Sequence, residues 1–115
     1  MSARDRRSLA AARRVHAPVF AALGDATRLS LVAKLCEGSP QSIARLTEGS
    51  NLTRQAISKH LRVLQGAGIV ESVRVGRESQ YEFKPKPIDD LKSYLDDVSK
   101  QWDDALARLK SFLER

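Results

Sequence analysis

Residues 52–71, LTRQAISKHLRVLQGAGIVE, decide the fold. Thr53 is a side-chain acceptor placed to cap a helix. Ile57, Leu61 and Leu64 follow at i, i+4 and i+7, the spacing of one buried helical face. Arg54, Gln55, Ser58, Lys59 and Arg62 fall on the opposite side. His60 has two open uses, a phosphate contact or packing against a neighbouring element. No Asp or Glu occurs from Leu52 to Val70, whereas ordinary solvated helices mix both signs. Gly66-Ala67-Gly68 then breaks the periodicity, so the helix is expected over 53–65.

Working backwards, Gly49-Ser50-Asn51 form a turn. Before it, Ser39 as N-cap and Pro40 at the first helical position open a third helix, with Ile43, Ala44 and Leu46 facing inward. A second helix is capped by Asp25, carries Leu29, Val32, Leu35 and Cys36 at helical spacing, and stops at Gly38. A first helix is expected over Val15–Leu23, with Pro18 tolerated in its opening turn. Residues 1–14 hold five Arg and one Asp and are expected to form a basic arm, mobile or loosely helical.

Working forwards, the period changes to two. Ile69 to Val75 is rich in β-branched residues, and Ser79 to Phe83 alternates, with Tyr81 and Phe83 on one face. Gly76 and its neighbours join these runs as a hairpin, giving a wing over 69–83. Pro85 and Pro87 lead into a last helix over 88–115. There Ile88, Leu91, Leu95, Val98, Trp102, Ala105, Leu109 and Phe112 recur at 3-4-3-4 spacing, an a/d seam held for nearly four heptads. Asp89-Asp90, Asp96-Asp97 and Asp103-Asp104 repeat every seven residues away from that seam, which marks a solvated stripe. A helix of about 40 Å is too long for so small a domain to cover. The seam is therefore expected to meet a second copy of itself, with Leu91, Leu95, Val98, Trp102 and Leu109 in the interface.

Charge divides the chain in the same way. The net charge is +6, and residues 1–87 carry 15 Lys/Arg against 7 Asp/Glu while residues 88–115 carry 5 against 7. A basic body with a mildly acidic tail suits a polyanion engaged by the first part only. The single cysteine, Cys36, excludes an internal disulfide; its place on an apolar helix face makes it an expected buried thiol. No run approaches the roughly 20 apolar residues of a membrane span. The arginines near the N-terminus and Pro18 do not fit a signal peptide, and a cytoplasmic protein is expected.

Two helices joined by a turn and followed by a hairpin make a winged helix-turn-helix, mostly α with a two-stranded wing, in a single domain over 15–87. Arg and Gln engage guanine and adenine edges bidentately in the major groove of double-stranded DNA. Arg54 and Gln55 occupy the first turn, where a recognition helix meets bases. Ser58, Lys59 and Arg62 suit a base edge or a phosphate. Arg74 and Arg77 flank the hairpin tip within reach of a neighbouring groove or phosphates, with Glu78 as a local counter-charge. Gln41 and Ser42 at the start of the third helix suit phosphate oxygens, and Thr53 completes the set.

The stretches VFAALGDATRLSLVAKLCEG, LTRQAISKHLRVLQGAGIVE and VGRESQYEF together resemble the ArsR family of winged-helix transcription repressors, over roughly residues 15–113. The resemblance implies a homodimer whose first and last helices form the interface. It also implies a palindromic operator, and repression relieved when a signal alters the dimer. The link TEGSNL is longer than the family's usual turn. The third helix, QSIARLT, lacks the paired cysteines and the last helix lacks the histidines of its metal-sensing members, so no metal and no cofactor are expected. Neither a phosphate loop nor a nucleophile with its base is present, so no enzyme is expected. The competing class is a protein-interaction module, against which the polar, acid-free helix face argues. RNA binding would call for exposed aromatics, which that face lacks.

Overall fold

The computed structural model describes residues 2–114. Five helices and three short strands follow one another as α1 (Ala3–Leu23), α2 (Ala26–Leu35), β1 (Gln41–Ser42), α3 (Ile43–Thr47), α4 (Arg54–Gly66), β2 (Val70–Val75), β3 (Glu78–Phe83) and α5 (Pro85–Leu113). The core is wholly apolar. Leu31 and Leu35 of α2, Leu46 of α3, Ile57, Leu61 and Leu64 of α4, and Ile69 and Val70 at the wing's root are buried together, with Ala22 of α1 against them. Val19, Val32, Ile43, Tyr81, Phe83 and Ile88 close its edges.

Helix α4 ends as its glycines require. Gly68 takes φ +77°, its N–H donates to Gln65 at 3.0 Å, and the Ile69 N–H donates to Leu64 at 3.0 Å. These paired bonds cap the last carbonyls, and they need a left-handed residue at position 68. The wing is antiparallel, with Val70 opposite Phe83 and Val75 opposite Glu78. Its two-residue turn places Gly76 first at φ +64°, a position that glycine fills in hairpin turns.

Four expectations are corrected. The sheet has three strands in the order β1-β3-β2, because Gln41 pairs with Tyr81 and Ser42 with Gln80. That pairing holds residues 41–42 extended, so α3 does not begin at Ser39-Pro40. Its cap is Ser42, whose Oγ accepts the Arg45 N–H at 3.1 Å. The described part of the expected arm is helix: Ser2 and Asp5 form a reciprocal capping box, and α1 runs unbroken from Ala3. Met1 lies outside the described residues. Pro18 is consequently inside α1 and leaves the Arg14 carbonyl without its usual donor. Cys36 is exposed at the C-cap of α2, because the face that α2 buries is that of Leu31 and Leu35, and Leu29 of the expected face is exposed too.

Helices α1 and α5 lie side by side. Val15 and Val19 share a cleft with Pro87 and Asp90, while Asp5 and Leu9 share one with residues 97–108, so the two run antiparallel. Tyr94 ties them, its ring 5.1 Å from that of His16 and 6.2 Å from that of Phe20. The pair projects from the core and stretches the molecule to 67 × 27 × 22 Å.

Candidate nucleic-acid interface

The site is built on α4. Burying Ile57, Leu61 and Leu64 turns the other face outward, and there Arg54, Gln55, Lys59 and Arg62 are exposed and Ser58 half-buried. The Thr53 Oγ accepts the Ala56 N–H at 3.1 Å and fixes the first turn. At the wing, Arg74 and Arg77 are exposed on either side of Gly76. Glu78, the local counter-charge, lies 3.5 Å from the Gln80 amide. Among the described residues none of Arg54, Lys59, Arg62, Arg74 and Arg77 has an ion-pair partner. Five guanidinium and ammonium groups thus stand unneutralised on two neighbouring elements, free for an external anion.

Two expected contacts are placed differently, and the open choice for His60 falls to packing. The Gln41 amide donates to the Lys34 carbonyl at 3.3 Å, and the Ser42 oxygen serves as the cap of α3. Both side chains are committed inside the protein, whereas the neighbouring Arg45 is exposed. His60 faces α2: its Nδ1 lies 3.2 Å from an Arg28 nitrogen and 3.8 Å from Asp25 Oδ2. Arg28 had given no sign of its role in the sequence beyond standing three residues after a cap. Asp25 is held below the usual carboxylate range, chiefly by the backbone N–H of Arg28 and further by the Arg28 charge, against the cost of burial.

Helix α5 carries exposed apolar side chains. Leu95, Trp102 and Leu109 of α5 are exposed, Trp102 at 66 %, and Val98 is half-buried. Leu91 departs from the expected seam: at 4 % exposure it belongs to its own protomer's interior. Leu106 and Leu113, off the strict repeat, extend the exposed row. Among the described residues no three His, Cys, Asp or Glu side chains gather as a metal site. No helix of the described chain is long and apolar enough to cross a membrane.

Comparison with known proteins turns this geometry into a family. A family described as "Helix-turn-helix domain" matches residues 23–73. The uncharacterized HTH-type transcriptional regulator YuzN of Bacillus subtilis is 38% identical over 79 residues, covering 64% of this chain and 86% of that protein. A solved ArsR-like transcriptional regulator from Rhodococcus sp. RHA1 superposes with a TM-score of 0.77 at 38% identity, over 86% of this chain and 92% of that one. The chain belongs to the ArsR family. It is a DNA-binding transcription regulator of the winged helix-turn-helix type. Another ArsR relative, the arsenical resistance operon repressor of Bacillus subtilis, is 30% identical over 74 residues, 64% of this chain and 70% of that protein. In this ArsR protein α3 reads IARLT, without cysteine.

Proposed function

We propose that this protein is a homodimeric repressor that reads a palindromic operator through α4 and steadies itself with the wing. The observation that carries this reading is the acid-free, outward face of α4, whose Arg54, Gln55, Lys59 and Arg62 are exposed and without protein partners. Arg54 and Gln55, in the first turn, address base edges, where each bidentate pair discriminates by about 1–3 kcal/mol. Lys59, Arg62, Arg45, Arg74 and Arg77 address phosphates, and Ser58 and Thr53 fill the gap between the two sets.

The exposed apolar row of α5 supports self-association, with α1 alongside it. Two protomers clasped there carry two recognition helices, which read half-sites about 34 Å apart, one helical turn of DNA. A dimer bound across a promoter excludes polymerase, and repression is the role named for the arsenical resistance operon relative. We infer a cytoplasmic regulator and not an enzyme, since the polar residues of the recognition face are arranged for contact.

The test is selection of duplexes from a random pool by the intact protein, followed by anisotropy titration at about 50 and 200 mM salt. We expect a palindromic consensus, saturable binding that weakens by up to about a hundred-thousandfold between those salt levels as the dimer's ten phosphate contacts are screened, and loss of preference in Arg54→Ala/Gln55→Ala. A folded dimer that binds no duplex at low salt would refute DNA reading and favour a protein-interaction module.

A further inference from the structure

Arg28 on α2 joins three elements. Its Nε donates to the Ala22 carbonyl at 2.5 Å and Nη2 to the Ala21 carbonyl at 3.4 Å, so it joins the Gly24 N–H, which also donates to Ala21, in capping the C-terminal end of α1. Its Nη1 lies 3.2 Å from Nδ1 of His60, in the middle of α4. Asp25, which caps α2 by accepting the Arg28 backbone N–H at 3.0 Å, holds Oδ2 3.8 Å from the same ring nitrogen.

A guanidinium has donors only. The Arg28 contact therefore needs a lone pair on Nδ1 and the ring proton on Nε2. Protonation places a hydrogen on Nδ1, against the Arg28 cation, and leaves the Asp25 carboxylate as the acceptor in reach. One nitrogen thus has two partners of opposite charge, and the proton decides between them. From α2 these two are the charged groups that face it. From α1 come backbone carbonyls; the titratable side chain of residues 15–23, His16, lies against Tyr94. From α4 itself, the neighbouring Lys59 and Arg62 are exposed.

We propose that Arg28 is a positioning residue for the recognition helix. Through neutral His60 it fixes α4 to the end of α1, and protonation of His60 releases that hold. This rests on the DNA-reading role of α4, which only the second of two measurements requires.

The first is NMR of the intact protein between about pH 5 and 8, the window of a histidine ring. The His60 ring nitrogens should show the Nε2–H tautomer at the alkaline end. The amides of residues 21–24 should shift with the His60 midpoint. In His60→Asn, which keeps a neutral acceptor, those amides should stay flat. In Arg28→Lys the ring should titrate while the amides no longer follow it. An Nδ1–H tautomer, or amide shifts that persist in His60→Asn, would overturn the clamp.

The second compares affinity for a duplex selected from the random pool with that for a scrambled duplex, at both ends of the window. Wild type should lose about tenfold of its preference on acidification, as expected when one charge-assisted hydrogen bond is broken, and His60→Asn should lose none. Equal losses in the two proteins would overturn the coupling. Absence of binding to any duplex at either pH would refute DNA reading itself, and the NMR result would still judge the clamp.

Discussion

Gly68 and Pro87 approach so closely that a Cβ added to the glycine would stand 3.5 Å from the proline Cγ. That distance is ordinary contact, so space does not exclude a side chain. The backbone does, since φ at Gly68 is +77°. We expect Gly68→Ala to lower unfolding free energy by about 1–2 kcal/mol, the cost of a left-handed L-residue, with the fold retained. Urea denaturation measures it, and an unshifted midpoint would show that the exit from α4 tolerates another geometry.

The wing and the recognition helix should fail differently. Arg74→Ala/Arg77→Ala should weaken binding to all duplexes and reduce the salt slope by about 3.6, roughly 0.9 for each of the four phosphate contacts the dimer loses. Sequence preference should survive. Arg54→Ala/Gln55→Ala should instead lower preference by about a thousandfold or more, since the dimer loses four bidentate pairs at about 1–3 kcal/mol each. Titrations of one selected and one scrambled duplex separate the two patterns.

Trp102 and Leu109 are 66 % and 53 % exposed in the protomer, so a charge at either place costs the protomer's own core little. Trp102→Glu and Leu109→Glu should yield folded monomers by sedimentation velocity. The dependence of Tm on protein concentration, a mark of coupled association, should vanish with them. A wild-type protein that sediments as a monomer at high concentration would refute the dimer.

Acid should weaken the start of α2. Asp25 is held below the usual carboxylate range by the Arg28 N–H and charge, so its folded form binds a proton less readily than its unfolded form. The stability it contributes is present above the ordinary carboxylate range and is lost as pH falls through its own lower value. Asp25→Asn keeps a capping oxygen but cannot titrate. Urea midpoints measured from about pH 5 to 3, across the carboxylate range, should fall more steeply in wild type than in the variant.

What could be read without coordinates was what the chain encodes locally. Ile57, Leu61 and Leu64 announce α4 by spacing alone, and the glycines at 66, 68 and 76 mark its end and the hairpin. β1 was hidden because two residues carry no period. Gln41 and Ser42 become a strand only because Tyr81 and Gln80, some forty residues on, offer them partners. The true cap of α3 followed from that pairing. The first half of α1 is masked by arginines that look like a solvated tail, although Ser2 and Asp5 carry the reciprocal cap in plain sight. Within the site, the outward residues of α4 were legible from its apolar stripe. The inward turn of His60 was not, since Arg28 and Asp25 meet it across more than thirty residues of chain.

The third strand has a consequence for adaptability. β1 is continuous with α3 and hydrogen-bonded to β3, so the hairpin is stitched to the helical half of the domain at its base as well as through Gly68. Within one protomer, the separation between hairpin tip and recognition helix is then a fixed gauge. A site whose grooves are spaced differently cannot be accommodated by swinging the hairpin alone. Tolerance for variant sites has to come from the hinge between protomers, and so does any signal that turns binding off.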